Sequence, residues 1–459
     1  MMHVSEAAFA LGVEHIGGNP TFTSVGTDSR NVKPGELFIA LRGEHFDAHQ
    51  YLGAAQAAGA VAALVDAEGA ALAPADLPHI VVNNTHIGLT QLAYAWRSRF
   101  TGPLVALTGS SGKTTVKEML ASILREITGG AVLATRGNLN NEIGVPLTLL
   151  ELREQHRCAV IELGMNHAGE ISRLTRLARP DVALINNAGR AHIEYLGSIE
   201  AIARAKGEIF EGLAADGAAV INADDTHAAL WRELCNKNKC LSFGLDGAAD
   251  VGARYALGAF ESEMHIKTPA GEISVTIHAP GLHNVRNALA ACAVAIALEV
   301  PLAAMASGLS QYEGFKGRLQ RKPAQAGATL IDDTYNANPE STRAAIDVLA
   351  RTTGKRLLVL GDMGELGERA DACHAEVGEY ARVSGIETLF ALGDLSANTA
   401  HAFGAGARHF PDIDALLAEI KTTLAPEMTV LVKGSRFMRM ERVVKAFAVD
   451  ESANGGAHA

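Results

Sequence analysis

Short apolar runs alternate with turn residues and helical stretches along the whole chain. In the first hundred residues, three such runs predict strands, at residues 37–41, 60–65 and 80–82. The alanine-rich stretch 52–58 predicts a helix, and residues 91–99 predict another that leads into a Thr-Gly-Pro turn. This pattern indicates a small α/β domain over residues 1–100.

From residue 104 onward the alternation of strands and helices becomes regular. Four buried apolar runs predict strands, at residues 104–107, 158–163, 182–186 and 218–222. Helical patterns lie between them, for example at residues 168–178 and 199–213, and this alternation predicts a parallel sheet with right-handed crossovers. The alternating segment 263–278 predicts an antiparallel hairpin added at one edge of that sheet.

The polar stretch 314–327, with its glycines and lysines, predicts a second domain boundary. Beyond it, four more runs predict strands, each followed by a helical pattern, at residues 329–332, 357–360, 388–392 and 429–432. We therefore predict an α/β protein of three domains: a small N-terminal domain (1–100), a central domain with a mostly parallel sheet (101–317) and a Rossmann-like C-terminal domain (318–459). The polar tail 451–459 is predicted to fray.

Composition and charge narrow the functional classes. Of the 459 residues, 48% are hydrophobic and 20% are charged, which is typical of a globular enzyme. The net charge of −11 argues against nucleic acid or an anionic membrane surface as a partner. The most apolar stretch, 288–298, is too short to span a membrane and predicts a buried helix. We expect a cytoplasmic protein, because no signal peptide is evident and the five scattered cysteines indicate reduced thiols.

A glycine-rich loop follows the first predicted strand of the central domain. Its residues are Thr108, Gly109, Ser110, Ser111, Gly112, Lys113, Thr114 and Thr115. Glycines let backbone N–H groups curl around a phosphate, the next helix adds its partial positive charge, and Lys113 adds a full one. The hydroxyl of Thr114 or Thr115 can reach a Mg²⁺ ion. We predict a short ATP-binding loop, since Leu107 replaces the first glycine of the longer motif and no Asn-Lys-x-Asp motif selects GTP.

Three polar residues fall where a parallel sheet places its ligand-binding groups, past the carboxyl ends of its strands: Glu162, His192 and Lys206. Taken singly, a glutamate at a strand end is more often solvated, and a lone histidine is more often structural. Their occurrence in this order after a phosphate loop favours a site in which Mg²⁺ bridges the nucleotide and an attacking carboxylate.

These features, continued by residues 283–287 (His-Asn-Val-Arg-Asn) and by Gly317 and Arg318, resemble the Mur ligase family, which includes folylpolyglutamate synthetases. Longer segments resemble the members of the family that add D-alanyl-D-alanine to a cell-wall precursor, at residues 135–146, 164–171, 191–198, 333–339 and 360–367. The resemblance runs from residues 27–30 to residues 433–436 and so covers nearly the whole chain.

The resemblance implies an ATP-dependent, ADP-forming ligase of peptidoglycan synthesis. The carboxylate of UDP-N-acetylmuramoyl-tripeptide would attack the γ-phosphate of ATP, and the amine of D-alanyl-D-alanine would then displace phosphate from the acyl phosphate. The N-terminal domain would bind the UDP-sugar and the central domain would bind ATP. We expect a monomer that uses ATP and Mg²⁺.

The resemblance also implies roles for single residues of the central domain. Lys206 would be carbamylated and would hold a second Mg²⁺ with His192 and Glu162, whereas a plain ammonium ion on phosphate is the alternative. The implied catalytic residues are Lys113, Glu162, His192 and Lys206, and the implied metal ligands are Thr114, Glu162, His192 and Lys206.

Further implied roles concern the two substrates. Asn284 and Asn287 would read adenine, because an amide offers both a donor and an acceptor, although Asn284 could also cap a helix. Arg318 and Asp332 would reach the nucleotide from the C-terminal domain. The residues assigned to the UDP-sugar substrate and its peptide are Thr27, Asp28, Ser29, Arg30, Thr135, Asn138, Asn140, Asn141 and Asn336. Further candidates for the peptide end are Asp362, Glu365, Lys433 and Arg436.

The chemistry requires neutralised charge and exclusion of water. Two unit charges brought to about 4 Å repel by about 4 kcal/mol at an effective dielectric near 20, and Lys113 and Mg²⁺ would offset this cost. An acyl phosphate hydrolyses, so we expect the C-terminal domain to close about a hinge in residues 314–322. Three alternatives stay open: a sister ligase that adds a single amino acid, a folylpolyglutamate synthetase, and a nucleotide-binding regulator without ligase activity.

Overall fold

The N-terminal part of the chain forms a small α/β unit in the computed structural model, which describes residues 1–191, 193–235 and 237–449. Its elements are β1 (Met2–His3), α1 (Val4–Ala10), β2 (His15–Ile16), β3 (Thr21–Phe22), β4 (Ser24–Gly26), β5 (Glu36–Ile39), α2 (Leu52–Ala57), β6 (Ala60–Asp66), α3 (Ala67–Ala70), β7 (His79–Val82) and α4 (Thr85–Arg97). Five strands form one sheet in the order β2-β7-β6-β5-β4, in which β2 is antiparallel and the others are parallel. Strands β1 and β3 pair separately.

The strands and helices predicted for this unit are confirmed, with one change of length. Strands β5, β6 and β7 cover the three apolar runs, and α2 covers the alanine-rich stretch. Helix α4 begins at Thr85, well before residue 91, because the Asn84 side chain accepts hydrogen bonds from the backbone N–H groups of His86 (2.9 Å) and Ile87 (3.0 Å).

The central part is built on an all-parallel sheet of six strands. Its elements are β8 (Leu104–Thr108), α5 (Lys113–Thr128), β9 (Val132–Ala134), α6 (Gly144–Leu150), β10 (Cys158–Glu162), α7 (Glu170–Ala178), β11 (Val182–Ile185), α8 (Ile193–Leu196), α9 (Ile199–Gly207), β12 (Ala218–Asn222), α10 (Ala228–Leu234), β13 (Lys239–Phe243), β14 (Gly252–Leu257), β15 (Ser262–Thr268), β16 (Gly271–Ile277), α11 (Leu282–Ala297) and α12 (Leu302–Ser310). The parallel strands lie in the order β13-β12-β11-β8-β10-β9. The four predicted strands are confirmed as β8, β10, β11 and β12.

The predicted hairpin exists but belongs to a different sheet. Strands β15 and β16 pair antiparallel, and β14 joins them in a separate three-stranded sheet. The prediction that the hairpin extends the parallel sheet is therefore wrong. Strand β13 already forms that edge, and a single bridge from Phe243 to Val251 links the two sheets. Alternating apolar and polar residues indicate a strand with one buried face, but not the sheet to which the strand belongs.

Helix α11 lies between the two sheets and is buried on almost every side. Its alanine-rich segment, residues 287–295, is entirely buried. The helix shares one core with Val105 and Leu107 of the parallel sheet and with Met264 and Ile266 of the small sheet. The predicted buried helix is thus confirmed. In the part of the chain that the structure describes, no helix is long and apolar enough to cross a membrane.

The C-terminal part contains a second six-stranded sheet. Its elements are β17 (Gln320–Pro323), β18 (Thr329–Asp333), α13 (Pro339–Ala350), β19 (Arg356–Gly361), α14 (Ala370–Val383), β20 (Thr388–Leu392), α15 (Ser396–Phe403), β21 (Ala407–Phe410), α16 (Ile413–Thr423), β22 (Thr429–Lys433) and α17 (Glu441–Phe447). The strand order is β17-β18-β22-β19-β20-β21, and only β17 is antiparallel to its neighbour. The four predicted strands are confirmed, and the predicted frayed tail lies outside the described residues.

Part of the predicted boundary stretch is a strand. Strand β17 pairs with β18, with Gln320 opposite Asp332, so the irregular connection between α12 and β17 ends before residue 320. Its outward residues Arg321 and Pro323 are exposed, which is typical of an edge strand. Polar composition alone therefore did not distinguish this strand from a linker.

The carboxyl ends of the two parallel sheets face each other across a cleft. Glu162, Asn186 and Asn222 line it at the ends of β10, β11 and β12. Asp333 and Lys433 line the other side at the ends of β18 and β22, where they are opposite each other in the sheet. Ligands of open α/β sheets bind at such strand ends, so the cleft is the candidate site.

Candidate active site

The loop after β8 has the geometry of a phosphate-binding loop. Gly112 caps the N-terminus of α5 with a φ of +77°. A Cβ at this position would lie 2.4 Å from Asn287 Oδ1 and 2.6 Å from Asn186 Nδ2, so both the backbone and the space require glycine. The first N–H groups of α5 have no partner within the helix and are available to an anion.

Lys113, the first residue of α5, folds back over this loop. Its Nζ donates a hydrogen bond to the carbonyl of Gly109 at 2.6 Å. Burial lowers the pKa of the Lys113 ammonium, while the Glu162 carboxylate acts in the opposite direction. A partly desolvated cation in this position interacts strongly with a phosphate that enters the cleft.

Two asparagines after β11 brace the loop, and neither was predicted from the sequence as a site residue. Asn187 Oδ1 accepts a hydrogen bond from Ser111 N (2.9 Å), and the Asn187 carbonyl accepts one from Ser110 N (3.1 Å). Asn186 Nδ2 donates to the carbonyl of Ser111 (3.0 Å) and to Asn287 Oδ1 (3.0 Å). Their position in the sequence could have identified them. They directly follow β11, which pairs with β8, and β8 leads into the phosphate loop.

Glu162, the last residue of β10, is buried and firmly held. Its Oε2 accepts a hydrogen bond from Thr114 Oγ1 (3.0 Å), and its Oε1 accepts one from Asn140 Nδ2 (2.8 Å). The Glu162 N–H donates to Thr135 Oγ1 at 2.9 Å. The structure thus brings the predicted residues Glu162, Thr114 and Asn140 together. Thr135 is buried beneath them and does not line the cleft.

Arg318 reaches the phosphate loop from the C-terminal side of the cleft. Its Nη2 donates to Thr114 Oγ1 at 2.8 Å, and its guanidinium lies 4.3 Å from the centroid of the Tyr335 ring. The Thr114 hydroxyl therefore connects this cation to the Glu162 carboxylate. Arg318 lines the cleft, and its contact with the nucleotide stays a prediction.

Lys206 lies on α9 and is only 1% exposed. Desolvation, with a smaller contribution from the Lys113 ammonium, holds the pKa of Lys206 well below its ordinary value. Lys206 is not among the residues that line the cleft. His192, which was predicted to act with it, lies outside the described residues.

The predicted metal site is only partly described. Among the described residues, no three His, Cys, Asp or Glu side chains are arranged to hold a metal. The Glu162 carboxylate and the Thr114 hydroxyl nevertheless place two oxygen donors beside the phosphate loop. Oxygen donors of this kind fit Mg²⁺.

Asn284 and Asn287 are buried in the first turns of α11. Asn287 Nδ2 donates to Asn284 Oδ1 (3.1 Å), and Asn284 Nδ2 donates to the carbonyl of Pro280 (2.8 Å). The suggestion that Asn284 caps the helix is wrong, because Gly281 is the N-cap residue. Both asparagines line the cleft, and their contact with adenine stays a prediction.

The C-terminal wall of the cleft carries Asp333 where Asp332 was predicted. Asp332 is buried away from the cleft, and its Oδ1 accepts a hydrogen bond from Thr334 Oγ1 at 2.6 Å. Asp333 lines the cleft and pairs with Lys433, with Oδ2 and Nζ 2.5 Å apart. Neighbouring residues of a strand point to opposite faces, which accounts for the difference. Asn336 lines the cleft, and its contact with substrate stays a prediction.

The cleft has a volume of about 680 Å³, which is in the range of cofactor sites. Asn138 and Asn141 also line it, whereas Asp362 and Arg436 do not. Asp362 Oδ1 instead accepts hydrogen bonds from the N–H and the hydroxyl of Ser396, both at 2.7 Å.

The segment 27–30 (Thr27, Asp28, Ser29 and Arg30) lies in the N-terminal unit and does not line this cleft. The Arg30 side chain is 85% exposed, and its Nε lies 2.8 Å from Asp28 Oδ1. The hydrogen bonds from Arg30 hold the pKa of Asp28 well below its usual range. A substrate would have to extend from the cleft to this segment to contact both.

Three family models match successive parts of the chain. They are described as "Mur ligase family, catalytic domain" (residues 21–97), "Mur ligase middle domain" (residues 107–295) and "Mur ligase, glutamate ligase domain" (residues 317–436). A UDP-N-acetylmuramoyl-tripeptide–D-alanyl-D-alanine ligase from Escherichia coli (strain K12) is 42% identical over 447 residues, which are 96% of this chain and 97% of that protein. The chain belongs to the Mur ligase family.

Solved structures of Mur ligases support the fold assignment. A crystal structure of MurF from Acinetobacter baumannii is 38% identical, has a TM-score of 0.86 and covers 93% of this chain and 94% of that one. The MurF ligase of Thermotoga maritima, in complex with ADP, is 29% identical, has a TM-score of 0.79 and covers 93% and 97%. The predicted three-domain α/β Mur ligase fold is thus confirmed.

Proposed function

We propose that this Mur ligase joins D-alanyl-D-alanine to UDP-N-acetylmuramoyl-tripeptide and converts ATP to ADP and phosphate. The product would be the pentapeptide precursor of peptidoglycan. The relative that is 42% identical over 96% of the chain carries the name of this activity. A ligase for 2,6-diaminopimelate and a folylpolyglutamate synthase are only 20% and 16% identical, so their similarity extends to the fold alone.

One arrangement in the cleft carries the proposal. A phosphate loop and a buried carboxylate on the central side meet a guanidinium from the C-terminal side, through the contacts of Thr114 with Glu162 (3.0 Å) and Arg318 (2.8 Å). A nucleotide in the loop would therefore be contacted from both sides. Such a site suits a reaction that must bring two anions together and exclude water.

The reaction would balance in two steps. A carboxylate oxygen of the tripeptide attacks the γ-phosphorus, the bond to the β,γ-bridging oxygen breaks, and ADP leaves. The amine of D-alanyl-D-alanine then attacks the acyl carbon, the bond from that carbon to the phosphate oxygen breaks, and the amine loses a proton. During the first step Lys113 and Arg318 would offset the negative charge that gathers around the γ-phosphate.

Metal binding and modification of Lys206 belong to the proposal. Thr114, Glu162, His192 and Lys206 would hold Mg²⁺, which when bound supplies further neutralisation of phosphate charge. A deprotonated Lys206 amine, which burial favours, can add CO₂ and lose a proton to become a carbamate. An NMR spectrum with ¹³C-bicarbonate would show a carbamate carbon in the wild type and none in the Lys206→Met variant.

The UDP-tripeptide would extend from the cleft to the N-terminal unit. We assign the UDP-sugar to the N-terminal unit through Thr27, Ser29 and Arg30, and its pyrophosphate and lactoyl region to residues 138–141. The domain boundaries near residues 100 and 317, and a hinge within residues 314–322, are part of this assignment. Support comes from Arg318, which lies just past the boundary and contacts the phosphate loop.

The test is phosphate release from ATP and Mg²⁺ with UDP-N-acetylmuramoyl-tripeptide, in the presence or absence of D-alanyl-D-alanine. Release that requires the dipeptide, together with a pentapeptide product by mass spectrometry, is the expected result. Release with a single amino acid would support a sister ligase, and release with folate and glutamate would support a folylpolyglutamate synthetase. No release with any of these acceptors would overturn the proposed activity.

A further inference from the structure

Arg190 connects the central part of the chain to the C-terminal part. It follows β11 in the loop 186–191, and its side chain is 13% exposed. Its Nε donates to Glu340 Oε1 at 2.5 Å, and its Nη1 donates to Glu376 Oε2 at 2.9 Å. Glu340 and Glu376 lie on α13 and α14 of the C-terminal sheet, so one guanidinium binds two helices of the opposite side.

Each acceptor of this guanidinium has a further stabilising interaction. Glu376 also pairs with Arg343, whose guanidinium lies 5.3 Å from the centroid of the Tyr380 ring. Glu340 is in the first turn of α13, where the helix dipole favours a carboxylate. A largely buried guanidinium with two carboxylate acceptors has a geometry that lysine cannot reproduce.

On its other side, the loop that carries Arg190 is hydrogen-bonded to the phosphate loop. Gly189 N donates to Ser110 Oγ (2.8 Å), and Ser110 Oγ lies 3.2 Å from the carbonyl of Gly189. Asn187 holds Ser111 as described above, and Ala188 N donates to Asp225 Oδ2 (2.9 Å). The loop 186–191 is therefore a short rigid connection between the phosphate loop and the two C-terminal helices.

We propose that Arg190 is a positioning residue that latches the C-terminal domain onto the loop bracing the phosphate loop, through Glu340 and Glu376. The latch favours the arrangement in which Arg318 also reaches Thr114, so nucleotide binding and domain closure assist each other. The inference rests on the proposed function only where turnover is measured, because the position of the domains can be observed without turnover.

The first measurement is steady-state turnover of Arg190→Gln, with Arg176→Gln as the matched control. Arg176 pairs with Glu211 at 2.9 Å within the central part and does not line the cleft. A smaller closed population lowers the apparent affinity for ATP by the same factor, so the KM for ATP should rise about tenfold while kcat changes about twofold or less. Arg190→Lys should restore part of the loss, because it keeps the charge and loses the paired geometry.

The second measurement is small-angle scattering of the wild type and of Arg190→Gln, with the non-hydrolysable analogue AMPPNP and Mg²⁺. We expect the variant to stay more extended than the wild type at the same concentration of analogue, and the Arg176→Gln control to match the wild type. If Arg190→Gln does not fold, Glu340→Ala removes the same contact from the other side, at a residue whose side chain is 40% exposed.

A double-mutant cycle tests whether Arg190 and Glu340 act through their mutual contact. The effects of Arg190→Gln and Glu340→Ala on the KM for ATP should be less than multiplicative when combined, because both remove the same contact. Independent effects, an unchanged KM, or a lower kcat at unchanged KM with wild-type scattering would each overturn the latch. If the wild type is inactive but the scattering difference is present, the latch stands and the proposed activity fails.

Discussion

The phosphate-loop wall (Lys113, Thr114, Glu162, Asn186 and Asn187) and the segment 27–30 are both predicted to bind substrate, yet they are built differently. On the wall, side chains are bonded across different elements, as in the 3.0 Å contact from α5 to the end of β10. In the segment, the main contact lies within the segment itself, from Arg30 to Asp28 at 2.8 Å, and the Arg30 side chain is 85% exposed.

The difference reflects what each region has to do. Groups that stabilise charge during phosphoryl transfer must be held in place before the reaction, because reorganising them would cost part of the rate. Groups that hold a remote part of the substrate contribute equally to the ground state and the transition state, and exposed side chains suffice for that. We therefore expect changes on the wall to lower kcat, and changes in the segment to raise KM.

The largest expected effect is that of Lys113→Ala. Removing the cation should lower kcat/KM about 10³-fold, since a charge at the transferred phosphoryl group is lost. The fold should persist, because among the described residues the Lys113 ammonium donates a hydrogen bond only to the loop carbonyl of Gly109. Steady-state kinetics and thermal unfolding test both statements, with Lys239→Ala, an exposed lysine of the central part that does not line the cleft, as control. A loss below about tenfold would remove the distinction between the two regions.

The next effect is that of Glu162→Gln. An amide keeps much of the shape and can still accept hydrogen bonds from Thr114 and Asn140, but it is a poorer ligand for Mg²⁺. We expect kcat to fall about 10²-fold and the Mg²⁺ concentration for half-maximal activity to rise about tenfold. A Mg²⁺ titration measures this, with the exposed Glu154→Gln as control. An unchanged Mg²⁺ requirement would contradict the role of Glu162 in holding the ion.

The sequence predicted those parts of the wall that depend on backbone geometry. The loop with Gly112 and Lys113 could be placed because a strand, a glycine-rich turn and a helix follow one another with their own local signals. Glu162 could be placed because it ends a continuous apolar run, and the ends of parallel strands meet at one edge. The fold class followed from the same regular alternation.

The remaining parts depend on side-chain direction and on contacts between distant residues. Asp332 and Asp333 are neighbours on one strand, and composition does not say which of them faces the cleft. Arg190 pairs with Glu340, which lies 150 residues further along the chain, and a single arginine in a loop carries no periodic signal. The edge strand β17 was hidden because its exposed residues are as polar as a linker.

A smaller effect is expected in the other region, from Arg30→Gln. The KM for UDP-N-acetylmuramoyl-tripeptide should rise about tenfold, with kcat and the KM for ATP changed about twofold or less, because only uniform binding is lost. Lys33→Gln removes an exposed positive charge from the same unit and serves as the control. A large fall in kcat would show that the segment takes part in the chemistry, and the comparison would then fail.

The smallest effect concerns stability, at the strand pair β4 and β5 that precedes and follows the segment in the chain. Glu36 on β5 is 3% exposed, and a Cβ on Gly26, next to the segment, would lie 2.1 Å from its Oε1. Burial raises the pKa of the Glu36 carboxyl, and a hydrogen bond from Ser24 offsets this only in part. The folded state thus favours the protonated acid, a stabilisation that is present below the unfolded-state pKa and lost as pH rises through the folded-state pKa.

At neutral pH the ionised Glu36 is therefore a cost, and Glu36→Gln should raise the melting temperature by about 1–3 °C. The gain should vanish near pH 4, where the wild-type carboxyl is also neutral, while the exposed control Glu14→Gln should change little at either pH. Thermal unfolding at the two pH values measures it. If Glu36→Gln also raises the KM for the UDP-tripeptide, the segment depends on support from another element, as the side chains of the wall do. The two regions would then differ in degree and not in kind. An unchanged KM would indicate that substrate binding by the segment depends on its own contact, from Arg30 to Asp28, and not on Glu36.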